Sequence, residues 1–173
     1  MASQNSTNNK VLDNVFTVGG DIRTNSISFQ STSHKLNFYE EDDWTPVLSF
    51  GGGTSGLDYT SSGRFIRVGH LVVVTLEINL VTIGSSSGSL LISGLPYNPD
   101  IINISELAIS GVPYCSNIQR RSTEVSSYWF ARFIAGPSIQ IYENRTGGVF
   151  VVRASEFTDD SIIKITMPYR MEL

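Results

Sequence analysis

Cysteine, charge and long apolar runs are all in short supply in this 173-residue chain, and each shortage closes off a class of explanation. The lone Cys115 cannot form an intrachain disulfide. No second Cys or His cluster offers metal-ligand spacing around it, so it reads as a small buried hydrophobe. The longest apolar run, Leu71 to Leu76, is interrupted by Thr75 and followed by Glu77, far short of the roughly 20 apolar residues a membrane helix needs. Charged residues make up 16% of the chain and the formal net charge is -4, which argues against a sequence-independent grip on nucleic acid. The opening MASQNSTNNK has no apolar signal-peptide core and reads as a polar, poorly ordered terminus over residues 1–10. Sequons at Asn5, Asn103 and Asn144 would matter only in a eukaryotic secretory pathway.

Ser, Thr, Asn and Gly are plentiful, a balance that suits turns and polar strand faces better than solvated helices. Strands are expected at Trp44 to Phe50, Phe65 to Val68, Leu71 to Thr82, Ser89 to Ser93, Ile102 to Ser110, Val125 to Ile134, Ser138 to Tyr142, Val149 to Val152 and Ser161 to Met167. Glycine and proline fall between them, for example at Gly51 to Gly53, Gly69, Gly84, Gly88, Gly136-Pro137 and Gly147-Gly148. In the segment from Leu71, the alternate residues Val72, Val74, Leu76, Ile78 and Leu80 stay apolar while the other face turns polar midway. Eight or nine strands so spaced fit an all-β, two-sheet sandwich of jelly-roll type. Glu156 to Asp160 is the one place where a short helical turn is expected.

Three blocks stand out in order: Tyr39 to Pro46, with an acidic tetrad and a Trp-Thr-Pro corner; Gly63 to Gly69; and Ile92 to Pro96. They resemble the C-terminal module of phage tail-fibre and related virion fibre proteins, written Tyr-Glu-Glu-Gly-x-Trp-Thr-Pro, Gly-Arg-Tyr-x-x-x-Gly and Ile-Ser-Gly-Leu-Pro. Phe65 replaces the Tyr of the second block, and Asp42 stands where the family has Gly, which puts the local turn in question. The resemblance extends weakly to the C-terminus, through Val149 to Phe157, Asp160 to Ile165 and Pro168-Tyr169. It implies a virion location, a homotrimer, and a β stem over residues 11–38 preceding a sandwich head over residues 39–173. The stem residues themselves, such as Val15, Phe16, Val18, Ile27 and Phe29, carry too little apolar surface to bury alone. They leave two readings, a stem intertwined with symmetry mates or a strand pair folded back on its own domain.

Enzymatic patterns are present only in outline. Gly84-Ser85-Ser86-Ser87-Gly88 matches Gly-x-Ser-x-Gly, but a nucleophile elbow needs a helix after it, and a strand is expected there. Gly51-Gly52-Gly53 lacks the Lys and the helix of a phosphate loop and reads as a tight corner. No cofactor is called for. Four adjacent carboxylates, Glu40 to Asp43, need water, a cation or basic side chains to offset their repulsion. Alternation puts Glu40 and Asp42 on one side, making them weak metal candidates, and Glu41 and Asp43 on the other. Salt bridges to Arg64 or Arg67 are the competing reading.

The binding chemistry lies further along the chain. Gln119-Arg120-Arg121 precedes Tyr128-Trp129-Phe130-Ala131-Arg132-Phe133, and Tyr142-Glu143-Asn144-Arg145 ends the following strand. Aromatic faces stack on sugar rings, and Arg, Asn and Glu bond hydroxyls or acidic substituents. The candidates are therefore Arg120, Arg121, Tyr128, Trp129, Arg132, Tyr142 and Arg145. Alternation sends Tyr128, Phe130 and Arg132 to one face and Trp129, Ala131 and Phe133 to the other; one set is core, and the sequence leaves open which. The expectation is a non-enzymatic fibre-tip domain recognising a host-surface saccharide, joined to the rest of a fibre, without nucleic acid or membrane insertion. Two alternatives are a purely structural trimerisation and capping head, and a polysaccharide hydrolase or esterase.

Overall fold

The three sequence blocks meet in space. In the computed structural model, which describes residues 27–28, 35–36, 38–100, 111–119, 127–134 and 137–172, Tyr39–Trp44 (β3) pairs antiparallel with Asp58–Val68 (β5), placing Trp44 opposite Gly63. The Trp44 indole lies across Gly63 and donates to the Thr75 carbonyl at 3.2 Å. A Cβ at position 63 would stand 2.6 Å from Trp44 Cε2, so glycine is required here by a close approach rather than by its φ. Val47–Phe50 (β4) pairs with Leu90–Ser93 (β7), and Gly94, at φ +84°, sits against the Thr45 carbonyl. The expected single strand Trp44 to Phe50 is thus cut at Thr45-Pro46, where the chain crosses from one sheet to the other. Proline, which cannot continue a ladder, makes the corner.

One sheet runs β3-β5-β6-β12-β8, with Leu71–Thr82 as β6, Tyr114–Ile118 as β8 and Phe157–Arg170 as β12. The other runs β11-β10-β7-β4, with Tyr128–Ile134 (β9) also paired to Ser138–Arg145 (β10), and Gly148–Val151 as β11. Both five-stranded sheets are antiparallel, and their inner faces share one core, so the all-β sandwich expected from the alternation is what forms. Val72, Val74, Leu76, Ile78 and Leu80 face Leu48, Phe50, Leu90, Ile92, Ile139 and Ile141. Phe157 bridges the layers, its ring 5.8 Å from both Phe50 and Trp129. Cys115 is half-buried against this core.

Several boundaries differ from the sequence reading for local reasons. β5 begins at Asp58 because the polar Thr60 to Ser62 stretch pairs along β6, and Ser61 Oγ donates to the Pro46 carbonyl at 2.8 Å. Strand β8 follows Pro113 in a segment that shows no strong alternation. The helical turn sits at Ala154–Glu156, where the Glu156 carboxylate accepts from the Arg153 N–H at 2.6 Å, and Phe157 to Asp160 already belongs to β12. Asp160, at φ +71°, carries the register shift that lets β12 pair with β8 on either side of it. Pro168 is tolerated within β12 because β8 stops pairing at Lys164↔Tyr114.

The chain divides into units 1–37 and 38–173. In the first, Ile27–Ser28 (β1) and Lys35–Leu36 (β2) pair antiparallel, Ile27 opposite Leu36. Expectations for residues 1–26 and 29–34, and for a strand at Ile102 to Ser110, lie outside the described residues. Among the described residues no helix is long and apolar enough to cross a membrane.

Candidate functional site

Strands β9 and β10 form a hairpin whose register decides what faces outward. Ile134 opposes Ser138, Arg132 opposes Gln140, Phe130 opposes Tyr142 and Tyr128 opposes Asn144. The intervening Trp129, Ala131, Phe133, Ile139 and Ile141 are buried in the core. This settles the open choice of face: Tyr128, Phe130 and Arg132 point away from the sandwich.

The outward residues make one continuous aromatic surface. Phe130 and Tyr142 stack at 5.6 Å with their planes 16° apart, and the Tyr128 ring lies 6.1 Å from Phe130. Phe130 is buried beneath its neighbours, while Tyr128 is 55% exposed. The Arg132 guanidinium sits over the Phe130 and Tyr142 rings, 5.2 and 5.8 Å from their centres. Asn144 Nδ2 donates to the Tyr128 hydroxyl at 2.8 Å, and the Tyr142 hydroxyl donates to Gln140 Oε1 at 2.7 Å. Both phenols and both amides are therefore tied by hydrogen bonds beside the rings, with Tyr128 tilted 47° from the plane of Phe130. On strand β11, Val149 and Val151 extend the same face. By the strand registers, Arg132 is the one charged side chain on the outer face of this sheet among the described residues.

Of the residues the sequence singled out, Tyr128, Arg132 and Tyr142 come together on this surface. Trp129 does not: it is 5% exposed and packs on Phe157, so its ring is not offered to solvent. Nor does Arg145, which points to the opposite side of β10. There it pairs with the buried Glu143 carboxylate at 3.5 Å and lies 3.9 Å from the Phe150 ring centre. Arg120 and Arg121 lie outside the described residues. Gln140 and Phe130 join the surface although neither was a candidate; the i, i+2 spacing of Gln140, Tyr142 and Asn144 is the signal that would have found Gln140.

Other features of the unit 38–173 have structural partners. Glu40 accepts a short hydrogen bond from the Tyr97 hydroxyl and lies 3.9 Å from Arg67, whose guanidinium stacks on Phe38 and Tyr97. Asp43 pairs with Arg64 at 3.3 Å, Asp42 accepts from the Asp43 N–H, and the Tyr39 hydroxyl donates to Glu41, a bond that raises the Tyr39 pKa. Among the described residues no group of three or more His, Cys, Asp or Glu side chains is placed to hold a metal. The Gly84 to Gly88 segment joins β6 to β7, with strand rather than helix after it, and Ser85 and Ser86 donate to the Ser55 carbonyl. A groove of about 770 Å³ crosses the outer face of the other sheet, but its charges pair off as Arg64–Asp43 and Lys164–Glu77.

The fold has a solved counterpart in a tailspike. The crystal structure of the Dettilon tailspike protein (gp208) matches with a TM-score of 0.61 and 17% identity, over 78% of this chain and 24% of that one. The chain thus spans about a quarter of that tailspike's length. At this identity the likeness is one of fold. No family model matches the sequence, and no curated protein matches it.

Proposed function

We propose that this chain is an attachment domain of a phage tail or fibre, and that the outer face of the β9–β10 hairpin recognises a saccharide on the host surface. The observation that carries this reading is the ordered aromatic floor of Tyr128, Phe130 and Tyr142, edged by Arg132, Gln140 and Asn144. Sugar rings present C–H faces that pack on such rings and hydroxyls that bond amides and phenols. Immobilising those groups beforehand lowers the entropy lost on binding. The tailspike-like sandwich supports a place in a virion tail, and the fibre-module blocks support a jelly-roll-like head on a homotrimeric stem. Threefold repetition would raise the strength of shallow sites through avidity. In this reading the domain binds without cleaving.

The test is a glycan array of bacterial surface polysaccharides probed with the wild-type protein and with Tyr128→Ala and Tyr142→Ala. Truncating a stacking ring at this surface should lower binding by about tenfold while the thermal midpoint changes little for the exposed Tyr128. Equal binding by wild type and both variants would remove this surface from the function. Release of reducing ends or acetate would replace binding by catalysis.

A further inference from the structure

We infer that the saccharide taken at this surface is acidic, a sugar bearing a carboxylate that Arg132 receives; the inference rests on the saccharide-binding reading above. The chain as a whole carries a net charge of -4, which repels an anionic polymer. On the outer face of the β9–β10 sheet, however, the described strand residues present Arg132 alone among charged groups, the others being aromatic, amide, hydroxyl or aliphatic. Among the described residues no carboxylate lies within ion-pair distance of it. Arg64, Arg67 and Arg145 each have a carboxylate partner, whereas Arg132, like Arg153 and Arg170, has none among the described residues.

The geometry also sets the mode of recognition. The Arg132 guanidinium is exposed and lies over Phe130 and Tyr142, 5.2 and 5.8 Å from their ring centres, and its planar fork matches the two oxygens of a carboxylate. A floppy surface arginine gains little from an exposed ion pair, since holding the side chain offsets most of the attraction. Here the rings have already restrained it. The exposed Tyr128 ring and the cation share one face, so one acidic residue can stack on Tyr128 while its carboxylate meets Arg132 and a neighbouring hydroxyl meets Asn144 or Gln140.

The experiment uses the full chain and soluble oligosaccharides from bacterial polysaccharides rich in hexuronic acid, each beside its carboxyl-reduced product, with phosphate-bearing oligosaccharides as a third arm. Wild type should bind the acidic form about five- to tenfold more tightly than the reduced one, and the preference should shrink as salt is raised. Arg132→Gln should bring the two forms within about twofold of each other; Arg132→Lys, which keeps the charge but loses the fork, should fall between. Equal wild-type binding to acidic and reduced forms overturns this inference and leaves the saccharide reading standing. Tighter binding of the phosphate-bearing arm overturns the carboxylate assignment. Binding to none of the three overturns both. Because the comparison of acidic with reduced ligand is made on wild type, it decides the matter even if an Arg132 variant fails to fold.

Discussion

Gly63→Ala isolates the contact on which the first two sequence blocks converge. Judged by backbone preference alone, the change should help: alanine in a strand interior is favoured over glycine by about 0.5–1 kcal/mol. The surroundings oppose it. The new Cβ would stand 2.6 Å from Trp44 Cε2 and 2.8 Å from Cδ1, and closer still to Nε1. Trp44 is 8% exposed and tied to the Thr75 carbonyl at 3.2 Å, so its ring cannot swing away without losing that bond and opening the core. Overpacking of this kind costs about 1–3 kcal/mol and a weakened buried hydrogen bond about 1 kcal/mol more. The clash therefore outweighs the propensity, for a net loss of about 2 kcal/mol, or about 4–8 °C in thermal midpoint for a chain of this size. Equilibrium urea unfolding of wild type and variant measures it directly. A double-mutant cycle completes the argument: in a Trp44→Leu background the clash is gone, and Gly63→Ala should become neutral or mildly stabilising. A Gly63→Ala single variant as stable as wild type would refute the reasoning.

Tyr169, buried beside Phe133 and donating to the Tyr97 carbonyl at 2.9 Å, has its pKa pushed above the ordinary 10.0 by burial. The unfolded chain then releases this proton first, so its contribution is intact below about pH 10 and is lost as pH rises beyond it. Tyr169→Phe should cost about 1 kcal/mol at neutral pH and flatten the alkaline fall in stability, read by denaturation at pH 8 to 11; an unchanged alkaline slope would contradict the burial argument. Arg145→Ala should destabilise by about 3 kcal/mol by stranding the buried Glu143 carboxylate, and Glu143→Gln in the same background should recover part of the loss. If Arg145→Ala instead left stability intact and abolished glycan binding, Arg145 would belong to the binding surface after all. Sedimentation equilibrium of the full chain should give three times the 19.0 kDa protomer mass, with dissociation promoted by removing residues 1–38; a monomer for the full chain would sink the stem proposal.

Much of the sandwich was legible because burial on one face imposes a period of two. The segment Leu71 to Thr82 declared both its strand and its buried side, and Val72 through Leu80 occupy that side. Polar strand segments were harder. Thr60 to Ser62 and Tyr114 to Asn117 carry no such alternation and become strand because neighbours supply the ladder. The break at Thr45-Pro46 was visible as a corner, yet that its two flanks belong to different sheets follows only from long-range pairing.

The site divides in the same way. By itself the sequence separated Tyr128, Phe130 and Arg132 from Trp129, Ala131 and Phe133. Local geometry determines such partitions, since adjacent side chains of an extended chain must diverge. Which partition faces water was decided by the tertiary structure, because the second layer, through Phe157, Tyr169 and the strands that carry them, covers one side of β9 and leaves the other bare. The pairing of Phe130 with Tyr142, and with it the stack that holds Arg132, depends on hairpin register, a property of two strands together that neither strand's own residues specify.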